Sequence, residues 1–255
     1  ERIKGLLHDT PHLAMAHIGE WALGKDESFH DTRFKQVIMG SEIPSILEKY
    51  GQNLDKILSD DGFDLLERDI PELCADRVDY SLREIALCYN KTEARELASH
   101  VINYEGRIRF DTKAPAQKFG NWFLAMQTGH WGSPRVVAIF DILSKTMKYA
   151  LDKGVLVPED LEKTDKDVAD KLFASTLPYI QKSLSILGTN FEPKENLIDP
   201  QIKAMKKVRH IDPSYVEKGK VYTLTETDPE YCKSLEWHRS VNAKGVNVDL
   251  YPSCT

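Results

Sequence analysis

Leu6-Leu7-His8-Asp9-Thr10-Pro11-His12-Leu13-Ala14-Met15-Ala16-His17-Ile18-Gly19-Glu20 is the stretch from which the rest of the chain is read. An apolar helix runs into adjacent His8 and Asp9 side chains. Neighbours on a helix point about 100° apart, so this pair converges on one ion only where the helix ends or lines a bundle interior. Thr10-Pro11 supplies such an end, and predicts a second helix capped by Thr10 with Pro11 in its first turn. On that second segment His17 and Glu20 are three residues apart and share a face, the spacing of a carboxylate that orients an imidazole for proton transfer. His12, four residues after His8, reaches the same pocket. Of eight histidines, four (His8, His12, His17, His30) fall in the first 30 residues, a density that favours site chemistry over helix capping.

The second informative run is Ala75-Asp76-Arg77-Val78-Asp79-Tyr80-Ser81-Leu82-Arg83-Glu84. Asp76, Asp79, Tyr80 and Arg83 form a polar stripe at helical spacing beside an apolar stripe of Ala75, Val78, Leu82 and Ile85. Alone, that pattern fits an exposed ladder of ion pairs. Beside a His-Asp site it reads as a wall that delivers one carboxylate to a metal and a Tyr-Arg pair to an anion.

The whole chain has 255 residues, with 34 Lys and Arg against 40 Asp and Glu, a net charge of −6. Duplex nucleic acid is an unsuitable partner, because phosphate neutralisation needs clustered positive charge. A small phosphorylated substrate needs only a local pocket. No run approaches a membrane span, so no membrane partner is expected. Cys74, Cys88, Cys232 and Cys254 lack metal-type CxxC spacing and read as free thiols, which predicts a reducing, cytoplasmic setting.

Helical periodicity predicts helices over 34–50, 71–87, 92–101, 116–131, 134–153 and 165–187, with a short strand at 106–110. After Gly188 the texture turns mixed: β-rich runs at 207–211 and 221–225, a helix over 229–242, and a strand over 246–251. The expected architecture is mainly α, a helical bundle over 1–188 followed by a small α+β unit over 189–255. The chain opens on Glu1-Arg2-Ile3-Lys4 as though within a helix, which predicts missing upstream sequence.

With both runs quoted, the chain resembles the HD-domain metal-dependent phosphohydrolases, in the branch related to deoxynucleoside triphosphate triphosphohydrolases. Many members read approximately L-L-H-D-x-x-H-x-x-x-x-H and then A-D-R-x-D-Y-x-x-R-D. The likeness continues through Phe29-His30, Ser41 to Leu47 and Gly154 to Leu161. The resemblance implies an HD-domain bundle with metal ligands His8, Asp9 and Asp76. It implies a catalytic shell of His12, His17, Glu20 and His30, with substrate contacts from Tyr80 and Arg83. It also implies one divalent transition metal ion (Mn, Fe, Co, Ni or Zn), a nucleotide-like substrate cleaved by metal-activated water, and possible homo-oligomers. The family's first ligand, a His upstream of the His-Asp pair, has no counterpart in residues 1–7, and Glu20 stands where Asp is commoner. Two alternatives stay open: an HD-type di-iron oxygenase, and a non-catalytic nucleotide-sensing or assembly module on the same fold.

Overall fold

The computed structural model describes residues 1–26, 28–59, 61–206 and 208–252. In chain order its α-helices are α1 (Arg2–Leu7), α2 (His17–Ala22), α3 (Phe29–Met39), α4 (Ile43–Lys49), α5 (Leu54–Leu58), α6 (Ala75–Glu84), α7 (Lys91–Ser99), α8 (Lys113–Met126), α9 (Pro134–Asp152), α10 (Asp165–Ala174), α11 (Pro178–Leu187), α12 (Leu224–Thr227) and α13 (Pro229–Ala243). The strands are β1 (Val101–Tyr104), β2 (Arg107–Phe110), β3 (Phe191–Glu195), β4 (Ile202–Ala204), β5 (Ser214–Glu217), β6 (Lys220–Thr223) and β7 (Val246–Pro252). The protein is mainly α, as its periodicity predicts. Among the described residues no helix is long and apolar enough to cross a membrane. Cys74, Cys88 and Cys232 are free thiols, while Cys254 lies outside the described residues.

The chain forms two compact units, neither of them a continuous stretch. One comprises Arg2–Asp60, Pro134–Ala204 and Val246–Thr255; the other comprises Glu1, Asp61–Ser133 and Met205–Gly245. Compactness thus groups the chain along lines other than the change of texture at residue 188.

In the first of these units α9 is the central support. Its buried Met147 and Ala150 pack with Leu13, Ile18 and Ala22 from the histidine-rich segment and with Leu161, Val168 and Leu172. Two turns earlier, Ala138 and Ile142 pack against Phe191, Ile202, Val246 and Val248 on the antiparallel sheet β3-β7-β4. A 19-residue amphipathic helix can hold both clusters because residues spaced by three and four line one face. Leu7, at the end of α1, is buried with Phe34, Ile38, Leu47 and Ile57 of α3, α4 and α5.

The other unit holds the sheet β1-β2-β5-β6, in which β2 and β5 are parallel and the outer pairs antiparallel. Its core gathers Phe110, Phe119, Phe123, Met126, Leu224 and Tyr231. Tyr231 is buried on α13, and its hydroxyl donates to the Ile211 carbonyl at 2.7 Å.

Several expected elements differ. The helix expected over 34–50 breaks between α3 and α4, where Ser41 Oγ accepts the Ile43 amide at 3.1 Å and Pro44 takes a first-turn place. The one expected over 165–187 breaks before Pro178, which holds Leu177 extended. The helix expected from Pro71 starts at Ala75, since Cys74 is extended and Arg77 Nη1 bonds the Glu72 carbonyl at 2.6 Å. Residues 208–211 form no strand: the Ile211 carbonyl is taken by Tyr231, and Asp212 bonds Pro71 instead. Lys207 of that expected strand lies outside the described residues. The run 221–225 ends as β6 at Thr223, whose amide bonds Glu226 Oε2 at 3.0 Å and opens α12.

Candidate active site

The helix α1 ends at Leu7, as the Leu-Leu-His-Asp run predicts, but no second helix starts at Pro11. Thr10 Oγ1 turns back and donates to the Leu7 carbonyl at 2.6 Å, so it closes α1 rather than opening α2. Residues 11–16 form a looped bridge, and Met15 and Ala16 both take left-handed backbone angles, φ 62° and 49°. Each such non-glycine residue costs on the order of 1–3 kcal/mol and persists only where its surroundings enforce it. Here the Met15 amide donates to Asp165 Oδ1 at 2.7 Å and the Ala14 amide to the Leu161 carbonyl at 2.8 Å. Gly19 is required beneath this bridge, because a Cβ there would stand 2.3 Å from the Ala14 carbonyl oxygen.

The consequence of the bridge is convergence on Glu20. This carboxylate is completely buried, 0% exposed, a position a charge tolerates only with donors directed at it. His12 Nδ1 lies 2.8 Å from Oε1, and His17 Nδ1 lies 2.9 Å from Oε2. An ionised carboxylate only accepts, so both imidazoles carry their proton on Nδ1 and present a lone pair at Nε2. His30, from the first turn of α3, stacks on His12 with ring centroids 3.9 Å apart, and its Nδ1 stands 3.5 Å from Glu20 Oε1. That nitrogen is buried and makes no hydrogen bond. Burial, reinforced by the neighbouring His12 imidazole, lowers the His30 pKa below its usual value. One turn after His30, Arg33 ties α3 to the bridge by donating Nη1 to the Pro11 carbonyl at 2.8 Å, and it also pairs with Glu162.

The His8-Asp9 pair adjoins this cluster. His8 Nδ1 lies 2.7 Å from the Gly5 carbonyl, which can only accept, so Nδ1 bears the proton and Nε2 the lone pair. Asp9 Oδ1 is 3.2 Å from His8 Nε2 and 3.6 Å from His12 Nε2. Asp9 Oδ1 thus stands within 3.6 Å of a ring nitrogen of both His8 and His12.

No family model matches the chain. The chain is 36% identical over 254 residues to a Bacillus subtilis (strain 168) protein described as uncharacterized protein YdhJ, and the match covers 98% of this chain and 78% of that one. The chain belongs to the YdhJ family. It is also 22% identical over 231 residues to a Cordyceps militaris protein named metal-dependent phosphohydrolase cns2, covering 86% of this chain and 66% of that one. A hypothetical protein from Aquifex aeolicus shares the fold, with a TM-score of 0.63 at 18% identity over 94% of this chain and 79% of that one.

Within this YdhJ-family chain, the histidine cluster and the His8-Asp9 pair belong to one unit, whereas Asp76, Tyr80 and Arg83 stand on α6 of the other. Asp76 is in the first turn of α6. Tyr80 packs edge-on to Trp131 with centroids 5.3 Å apart, and burial pushes its phenol pKa up to about 12. Arg83 is exposed and pairs with Asp79 at 2.6 Å, the ladder contact that the polar stripe also allows. The sequence reading passed over Asp165 and Arg33, which hold the bridge. Nothing local could have marked Asp165, since it lies 150 residues from Met15.

Proposed function

We propose that this YdhJ-family chain is a metal-dependent phosphohydrolase of the HD type that cleaves a phosphate ester or anhydride of a small, nucleotide-like substrate. The observation that carries the proposal is the buried Glu20 carboxylate holding His12 and His17 by their Nδ1 atoms, beside an adjacent His-Asp pair. The sequence likeness to a protein named as a metal-dependent phosphohydrolase supports it.

The donor chemistry fits a transition metal. A metal-ligating histidine characteristically donates its second ring N–H to a carbonyl or carboxylate, as His8 does to Gly5, and His8 Nε2 and Asp9 Oδ1 then offer one nitrogen and one oxygen 3.2 Å apart. Mixed imidazole and carboxylate ligands suit Mn, Fe, Co, Ni or Zn better than Mg. His8 and Asp9 would hold the ion, with Asp76 assigned by the motif. When bound, the ion supplies Lewis acidity to water and to a phosphoryl oxygen.

The remaining steps belong to the protein. His17, fixed by Glu20, accepts a proton at Nε2 from the attacking water. Glu20 stabilises the imidazolium that forms, much as a buried carboxylate does behind any catalytic imidazole. His12 or His30, once it has taken up a second proton from solvent, gives that proton to the leaving oxygen or holds a phosphate oxygen as imidazolium. Tyr80 and Arg83 are assigned to the substrate's sugar or phosphate by the motif.

The deciding experiment is Asp76→Ala, with metal content and hydrolysis of a nucleotide panel measured together. The proposal requires that both fall; full activity with unchanged metal would overturn the assignment.

A further inference from the structure

In the unit that lacks the histidine cluster, two α-helices end in widened turns. The π-helical turn Ile85–Tyr89 continues α6, and the π-helical turn Gln127–Trp131 continues α8. Such turns account for well under about 1% of residues and recur at functional sites, where the extra residue per rung redirects side chains. Two of them meeting over one set of polar side chains calls for a chemical reason.

The set is Glu84, Cys88 and His130. Glu84 is the last residue of α6, Cys88 lies in the first π turn, and His130 lies in the second. Glu84 Oε2 accepts from His130 Nε2 at 3.0 Å and from the Cys88 thiol at 3.4 Å. One donor atom from each residue lies within 4.8 Å of the other two. Two protons thus converge on one carboxylate oxygen from a sulfur and a nitrogen, the arrangement a cation would replace. Cys88 is exposed, which leaves the cluster open to entering ions. Ile85, the first residue of the turn that carries Cys88, is fully buried.

We propose that Glu84, Cys88 and His130 form a binding site for a thiophilic divalent transition metal of the Zn2+ type, using no residue of the histidine cluster. Thiolate, imidazole and carboxylate together match the borderline softness of Zn2+ or Co2+ and do not suit Mg2+ or Ca2+. Binding forms a metal–sulfur bond and releases the Cys88 S–H proton to solvent, with no change of oxidation state. The His130 proton moves to Nδ1, so that Nε2 supplies its lone pair. Three protein ligands leave a fourth position for water.

Titration of the full chain with Co2+ under thiol-free reducing conditions tests the site. A thiolate-to-cobalt charge-transfer band should appear in the near ultraviolet, a signature that imidazole and carboxylate ligation cannot produce. The band should vanish in Cys88→Ser, fade on adding Zn2+, and survive His17→Ala. Absence of the band in the wild-type chain, or its survival in Cys88→Ser, overturns the proposal. An independent reading is Zn2+ protection of Cys88 from alkylation, followed by mass spectrometry of the Cys88 peptide. Protection should be lost in Glu84→Gln and in His130→Gln, and equal protection in those variants counts against the site. These readouts do not depend on phosphohydrolase activity.

Discussion

His12 Nδ1 lies 2.8 Å from Glu20 Oε1, and that carboxylate, with no exposed surface, shares its second oxygen with His17. One buried negative charge therefore orients two imidazoles at once, and both turn Nε2 away from it.

Replacing Glu20 by Gln separates charge from shape. The amide offers one acceptor and one donor, so one of the two imidazoles meets an N–H where it needs an oxygen. Hydrolysis should slow by about 10² to 10⁴ in kcat with little change in KM, the usual worth of a positioned acid or base. Steady-state kinetics of phosphate release check this, and an unchanged kcat would remove Glu20 from the proton path.

His17→Ala divides proton transfer from metal binding. Metal content should remain at the wild-type level while turnover falls by a similar factor of about 10² to 10⁴. Elemental analysis beside the activity assay decides the point, and loss of the ion would make His17 a ligand instead.

His30 should make the fold sensitive to acid. Burial and the adjacent His12 ring lower its folded-state pKa below 6.5, so the fold favours the neutral ring. Below about pH 6.5 the unfolded chain takes up a proton that the folded chain resists, and stability falls with pH until the folded-state pKa is passed. With chelator present, His30→Asn should lose less stability than wild type between about pH 7 and about pH 5. Urea midpoints at the two pH values provide the comparison; equal losses would contradict the assignment.

Gly120→Ala tests the core of the other unit. A Cβ at Gly120 would stand 2.7 Å from Cε2 of Tyr231, a ring fixed by its hydroxyl bond to Ile211. Overpacking of this kind costs about 1–3 kcal/mol, which should appear as a lower denaturation midpoint with an unchanged slope.

Much of the helical content was legible because apolar residues recur at helical spacing, as along α9, where Ala138, Ile142, Met147 and Ala150 are all buried. Helix ends were less legible. Pro178 and the Gly40-Ser41 turn interrupt runs whose apolar periodicity continues across the break, so periodicity alone joins α3 to α4 and α10 to α11. The strands β3, β4 and β5 carry little alternation, and their pairing depends on partners distant in the chain.

By itself the sequence determined a mainly helical protein whose first 30 residues concentrate imidazole beside carboxylate, because residue type and local spacing are written directly in it. Tertiary structure alone decided that residues 11–16 form a strained bridge instead of a helix, with His12, His17 and His30 gathered around Glu20. The physical reason is distance along the chain: the left-handed backbone at Met15 is held by Asp165, and α3 is tied to Pro11 by Arg33. Contacts of that kind, between residues far apart in the chain, leave no periodic trace.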